Sequence, residues 1–295
     1  MNSQYWVLKV DQLPSAEEEV FTLFLFENGA SGVQENLQFT QLDRKYTPHV
    51  IPADIKSLII YFENPMSEYF IQDLKSRFPM VSISIEEQQS KDWLKEWKEQ
   101  WVPFHLVDNI WVVPEWHRDS FEEKETQAIY IEPGMAFGTG THETTQIASQ
   151  LIVDLLKTQY LNSAVDVGTG SGILAVLMKL KGMLEIYAYD NDPESKRVFK
   201  ENQEKNHAEE LVWCNAWSED LIGKVELTVA NIIDGVLIDL KPQFQQLKSR
   251  YYIFTGVLME REEDFIKEMC EGWDLQQVQR IQKGEWVGFC FEGPQ

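Results

Sequence analysis

The apolar positions of this chain change their period at two points, and each change marks a boundary in its organisation. From residue 1 to about 88, short strand-like runs flank two helical patterns. Tyr5 to Val10 reads as a strand. Pro14 and Ser15 open a helix with Glu17, Glu18 and Glu19 in its first turn, where the helix dipole favours carboxylates. Val20, Leu23 and Phe24 are expected to share the buried face of that helix. Gly29 and Gly32 punctuate its exit, and Ser31 to Leu37 and Leu58 to Phe62 follow as strands. Met66 to Phe78 carries Phe70, Leu74 and Phe78 at every fourth position, a helical stripe. Val81, Ile83 and Ile85 alternate with serines, as a half-exposed strand does. The order β-α-β-β-α-β is the split ferredoxin-like unit, so residues 1–88 are expected to form a small α+β domain.

Residues 89–127 read as a helical linker and lead-in strand. Asp92 to Trp101 places Trp93, Leu94, Trp97 and Trp101 at helical spacing, which suits core packing, a docking helix between domains, or a binding stripe. Ile110 to Val113 and Ala128 to Ile131 are short strands separated by the charged turn Asp119 to Glu125. Residues 128–295 then form the second domain. Ala148, Leu151, Ile152, Leu155 and Leu156 mark a helix, and strands are expected at 163–167, 185–189, 211–214, 226–230 and 251–256. Helices are expected at 173–180, from Pro193 to about His207, over 236–248 with an interruption at Pro242, and at 262–270. Val278 to Ile281 and Glu285 to Phe291 close the chain as a hairpin. Repeated β-α units predict an α/β fold, a mostly parallel Rossmann-like sheet covered on both faces with an antiparallel final strand.

The chemistry concentrates in two glycine-rich segments of that second domain. Asp166-Val-Gly-Thr-Gly-Ser-Gly172 follows a strand and opens a helix. Gly168, Gly170 and Gly172 permit unusual dihedrals and close approach of a ligand to the backbone. The spacing is Gly-x-Gly-x-Gly and not the dinucleotide fingerprint, which aims a helix N-terminus at a pyrophosphate. A phosphate-free sulfonium nucleoside fits it better; a plain strand-to-helix turn is the alternative. Asp190, at the end of the next strand, can accept both hydroxyls of a ribose, with Asn191 and Asp192 as neighbouring alternatives. Asn215, Ala216 and Trp217 are candidates for an adenine pocket or an ordinary loop. Asn231 ends the fourth strand, where a carboxamide can accept a hydrogen bond from an attacking amine or simply form a turn. The other segment, Glu132 to Thr145, is too specific in composition for an ordinary loop. His142 within it is a candidate base or a residue that orders the loop.

Composition narrows the function classes. The 48 acidic against 26 basic residues give a formal charge of −22, which repels phosphate backbones and disfavours direct DNA binding, and either attracts a basic protein or lysine-rich tail or only confers solubility. Forty-three per cent apolar residues exclude a disordered chain. Cys214, Cys270 and Cys290 fit neither a disulfide framework nor a zinc pattern, which points to a reducing compartment and to no metal. No signal-peptide pattern opens the chain and no apolar run reaches the ~18 residues of a membrane span. A cytoplasmic protein is expected, without membrane attachment, and a monomer.

Together these features resemble the ribosomal protein L11 methyltransferase family, class I enzymes dependent on S-adenosylmethionine. The likeness runs from Trp93–Trp97 and Pro103-Phe104 through Ile110–Trp116, Glu132–Thr145 and Asp166–Ile173 to Ala230-Asn231-Ile232 and Glu285-Trp286. It implies a small N-terminal substrate-recognition domain, and S-adenosylmethionine held by Thr145, Gly168, Asp190 and Asn231. It also implies that Phe137 and the loop Gly138 to Thr141 wall the active site, with Thr141 near the methyl donor. The implied acceptors are amines of L11, free or in the large subunit, at lysine side chains and the N-terminus. Methylation of another protein or a small amine, and a non-enzymatic cofactor-binding scaffold, are the competing readings. Two positions depart from the family pattern. Glu143 stands where proline is usual, and Ile233-Asp234 where Leu-Ala is usual, so that Asp234 either attracts a cationic lysine or caps the next helix.

Overall fold

The computed structural model describes residues 4–35, 39–41, 48–50, 54–89, 101–122, 126–131 and 140–294. They divide into two compact units, Met1–Gln100 and Trp101–Gln295. The tryptophan stripe expected from Asp92 lies outside the described residues up to Gln100, so Trp93, Leu94 and Trp97 carry no structural account.

The first unit contains β1 (Gln4–Pro14), α1 (Glu18–Glu27), β2 (Ala30–Glu35), β3 (Phe39–Gln41), β4 (Pro48–Val50), β5 (Ile55–Phe62), α2 (Glu68–Arg77) and β6 (Ser82–Gln89). Four strands form an antiparallel sheet in the order β2-β5-β1-β6, the ferredoxin-like arrangement, with β3 and β4 as a separate pair. The Ser67 hydroxyl caps α2 by accepting from the amide of Phe70 at 3.1 Å. The buried face of α1 differs from the expectation: Phe21, Phe24 and Leu25 are buried, whereas Val20 and Leu23 are 64% and 60% exposed. The run Val20 to Phe26 is apolar at every position but Thr22, so periodicity does not select a face. The rings of α2 and its exit do: Phe21 meets Phe78 edge-on at 4.7 Å, and Phe24 stacks on Phe70 at 5.7 Å.

The second unit opens with β7 (Phe104–Val107), β8 (Ile110–Pro114) and β9 (Gln127–Ile131), a three-stranded sheet in which β8 and β9 are parallel. Residues 101–127, read from sequence as a lead-in, therefore belong to this unit. The α/β part follows as α3 (Glu143–Thr158), β10 (Ser163–Val167), α4 (Ile173–Leu180), β11 (Glu185–Tyr189), α5 (Pro193–Lys205), β12 (Val212–Trp213), α6 (Trp217–Asp220), β13 (Leu227–Asn231), α7 (Asp234–Asp239), α8 (Lys241–Leu247), β14 (Tyr251–Leu258), α9 (Glu262–Cys270), β15 (Gln276–Lys283) and β16 (Trp286–Glu292). The sheet order is β12-β11-β10-β13-β14-β16-β15. Strands β10 to β14 pair in parallel, and β16 inserts antiparallel between β14 and β15. Pro242 sits in the first turn of α8, where its missing N–H costs nothing, and the expected long helix breaks at Leu240.

Alternate strand positions feed two apolar layers. Ala164, Ile186, Leu227 and Ile253 pack on the side of α3, α4 and α5. Val165, Val167, Ala230 and Phe254 pack on the side of Leu237, Phe244 and Phe265 from α7, α8 and α9. Burial on both faces is why these strands read as nearly continuous apolar runs. The strand order reverses between β10 and β13, which opens a crevice at their carboxyl ends. Among the described residues no helix is long and apolar enough to cross a membrane.

Candidate functional site

The crevice is a cavity of about 670 Å³ bordered by the ends of β10, β11 and β13 and the first turn of α3. Its floor is the glycine turn. The carbonyl of Tyr189 accepts from the amides of Gly168 and Thr169 at 2.8 and 2.9 Å, so β11 holds the turn that leaves β10. From the side of α5, the Asn202 amide donates to the carbonyl of Ser171 at 2.9 Å. Gly168 has φ +74, and a Cβ there would lie 2.7 Å from Ile232 Cγ1. On the other side Gly256, with φ +90, would place a Cβ 2.3 Å from the Ile232 carbonyl oxygen. The segment after Asn231 is thus seated between two glycines.

Asp190 borders the cavity and accepts two backbone bonds, from Gly170 N to Oδ2 and from Asp192 N to Oδ1, each at 2.9 Å. One lone pair remains on each oxygen, which matches the two vicinal hydroxyls of a ribose. Asn191 and Asp192 border it too, but Asp192 Oδ1 caps α5 by accepting from Glu194 N at 2.9 Å. Trp217, Tyr189 and Leu240 supply apolar wall, while Asn215 and Ala216 do not border the cavity. Asn231 faces the same space, its Nδ2 3.3 Å from Thr145 Oγ1 and its Oδ1 accepting from Thr255 Oγ1 at 2.9 Å. Four of the sequence-derived cofactor residues, Thr145, Gly168, Gly170 and Asp190, therefore meet Asn231 around one volume.

Other candidates stand elsewhere. His142 does not border the cavity; it is the N-cap of α3, its Nδ1 3.3 Å from Thr144 N and 2.8 Å from Thr144 Oγ1. Its ring lies edge-on to Trp286 at 5.2 Å, so its local role is to order the entry to α3. Thr141 is exposed and also absent from the cavity wall. Phe137, Gly138 and Thr139 lie outside the described residues. Asp234 does not cap α7, whose N-cap is Ile233 without a side-chain bond. Instead its carboxylate is buried 3.7 Å from Arg261 Nε, because the first turn of α7 packs on the start of α9.

Two residues that sequence reasoning left without a role belong to the site's frame. Asp166 is buried in β10, accepts from Thr169 Oγ1 at 2.7 Å, and its Oδ1 has no hydrogen-bond partner among the described residues. Burial pushes its carboxyl up to about 7, against the lowering effect of Thr169. An acid inside Ser163-Ala-Val-Asp-Val167 was the available signal. Thr255 gave no signal, since β14 reads as a plain apolar strand.

These residues fit S-adenosylmethionine. The volume lies in the range of small-molecule pockets, and the wall is apolar with a few convergent polar groups. A carboxylate with two free lone pairs stands where a ribose would bind, and among the described residues no lysine or arginine lines the cavity wall.

A family model described as Ribosomal protein L11 methyltransferase (PrmA) matches residues 4–293. A ribosomal protein L11 methyltransferase of Myxococcus xanthus is 32% identical over 97% of this chain and 98% of its own. One from Streptococcus agalactiae is 30% identical over 94% of this chain and 92% of its own. The crystal structure of a ribosomal protein L11 methylase from Lactobacillus delbrueckii subsp. bulgaricus superposes with a TM-score of 0.59 and 29% identity, covering 66% of this chain and all of that one.

Proposed function

The chain belongs to the ribosomal protein L11 methyltransferase family, and on that premise we propose that it methylates amines of L11, at lysine side chains and at the N-terminus, within the cytoplasm. It is an S-adenosylmethionine-dependent methyltransferase. The observation that carries the reading is the convergence of Thr145, Gly168, Asp190 and Asn231 on one cavity at the strand-order reversal.

When bound, S-adenosylmethionine supplies an electrophilic methyl carbon: a neutral amine forms a carbon–nitrogen bond to it as the carbon–sulfur pair returns to sulfur. The chain's own residues bind and align. Asp190 would take the ribose hydroxyls, and Tyr189 and Trp217, which line the same cavity, would enclose the flat base. Asn231 Oδ1 has a lone pair left beyond its bond from Thr255, with which it accepts an N–H of the acceptor and turns the amine's own lone pair toward the methyl. Alignment of this kind is worth up to about 7–11 kcal/mol in optimised intramolecular reactions. The acceptor lysine, with a reference pKa near ~10.4, gives up its proton to water before attack, helped by desolvation at the apolar wall.

The test pairs transfer with binding. Purified protein is incubated with labelled donor and L11, and modified positions are read by mass spectrometry. Asn231→Ala is expected to lower turnover by a factor on the order of 100 while cofactor affinity stays within about threefold. Donor binding without transfer to L11 would remove the proposed acceptor, and full turnover in the variant would remove the role of Asn231.

A further inference from the structure

Asn231 is effective only if its carboxamide points one way, and the structure holds it from both ends. Asn231 and Thr255 are register partners in the parallel pair β13–β14, so their side chains emerge on the same face. Thr255 Oγ1 donates to Asn231 Oδ1 at 2.9 Å, and Asn231 Nδ2 donates to Thr145 Oγ1 at 3.3 Å. Both threonines are fully buried at 0% exposure, so water does not compete for either hydroxyl. The rotamer of Thr255 is itself constrained. Its γ-methyl occupies the space over Gly288, its register partner on β16: a Cβ there would lie 2.5 Å from Thr255 Cγ2 and 2.6 Å from Ile147 Cγ2. With the methyl seated over this glycine, the hydroxyl faces Asn231.

We infer that Thr255 is a positioning residue for methyl transfer, fixing the rotation of the Asn231 carboxamide so that one Oδ1 lone pair is presented to the acceptor amine. Thr255 does not border the cavity. It acts through Asn231, and the inference rests on the proposed role of that residue.

The test uses the full chain with S-adenosylmethionine and L11. Thr255→Val keeps the shape and methyl packing but deletes the donor; Thr255→Ser keeps the donor and deletes the methyl. Active sites are counted by calorimetric titration with S-adenosylmethionine, which corrects kcat for any misfolded fraction. Thr255→Val is expected to lower kcat per active site roughly 10- to 100-fold, with cofactor Kd and the KM for L11 within about threefold. Thr255→Ser is expected to recover kcat to within about fivefold of wild type, since the hydroxyl carries the effect. If kcat holds in Thr255→Val while Asn231→Ala has lost turnover, the positioning role is overturned and the reading of Asn231 stands. Equal losses in the valine and serine variants overturn it as well, because packing would then be the cause. Full turnover in Asn231→Ala overturns both.

Discussion

Two aspartates flank the glycine turn, and their surroundings set different tasks for them. Asp190 is partly open to the cavity and spends two lone pairs on the amides of Gly170 and Asp192. Asp190→Ala should weaken S-adenosylmethionine binding by roughly 10- to 100-fold, the loss of charge-assisted hydrogen bonds to the ribose, as read by calorimetry. Unchanged affinity would place the ribose elsewhere. Asp166 is buried, with a carboxyl near 7 against an unfolded value of about 3.9. Between those values the folded state holds a proton that the unfolded state has released. This group's contribution to stability is therefore greatest below pH ~4, falls as pH rises, and levels off above pH ~7. Asp166→Asn, which cannot ionise, should gain stability relative to wild type between pH 5 and pH 8, by on the order of 2 kcal/mol in urea unfolding. A difference independent of pH would mean that Asp166 is already ionised at pH 5.

At the scale of elements, the site depends on strand ends approaching more closely than side chains normally allow. Ile232 wedges between Gly168 at the end of β10 and Gly256 in β14, and its amide donates to the carbonyl of Thr255 at 3.2 Å. Gly256 also lies at the register shift between β14 and β16, where the sheet bends around the Asn231 segment. Gly256→Ala should cost about 2–5 kcal/mol, because a Cβ would meet backbone atoms that cannot swing away. Gly182→Ala is the control. Its φ of +92 is similar, yet nothing lies within 4 Å of a Cβ there, so only about 1 kcal/mol of dihedral strain is expected. Thermal midpoints of the two variants separate the terms, and equal shifts would mean that the Ile232 contact relaxes freely.

For the whole molecule, a formal charge of −22 attracts basic partners over long range, which under the proposed function concerns the acceptor protein. Raising salt from about 0.05 to 0.5 M should raise the KM for L11 several-fold and leave kcat nearly unchanged, since screening weakens encounter and not alignment. A salt-independent KM would confine recognition to short-range contacts. The alternation of strands and helices from Ser163 to Phe291, the glycine turn and the acid at 190 are legible from the residues alone, because periodicity, glycine and strand-end acids are local signals. The expected buried face of α1, through Val20, Leu23 and Phe24, holds only at Phe24, since Val20 to Phe26 is apolar nearly all round and the rings of Phe70 and Phe78 choose among its sides. The sequence left His142 open between a base and a residue that orders its loop, and the path of α3 placed that ring at the helix N-cap, beside Trp286 and away from the cavity. Tertiary structure alone decided the hydrogen-bonded line from Thr145 through Asn231 to Thr255. Its members come from α3, β13 and β14, 86 and 24 residues apart along the chain, and short-range patterning holds no information about which strands become neighbours in a parallel sheet.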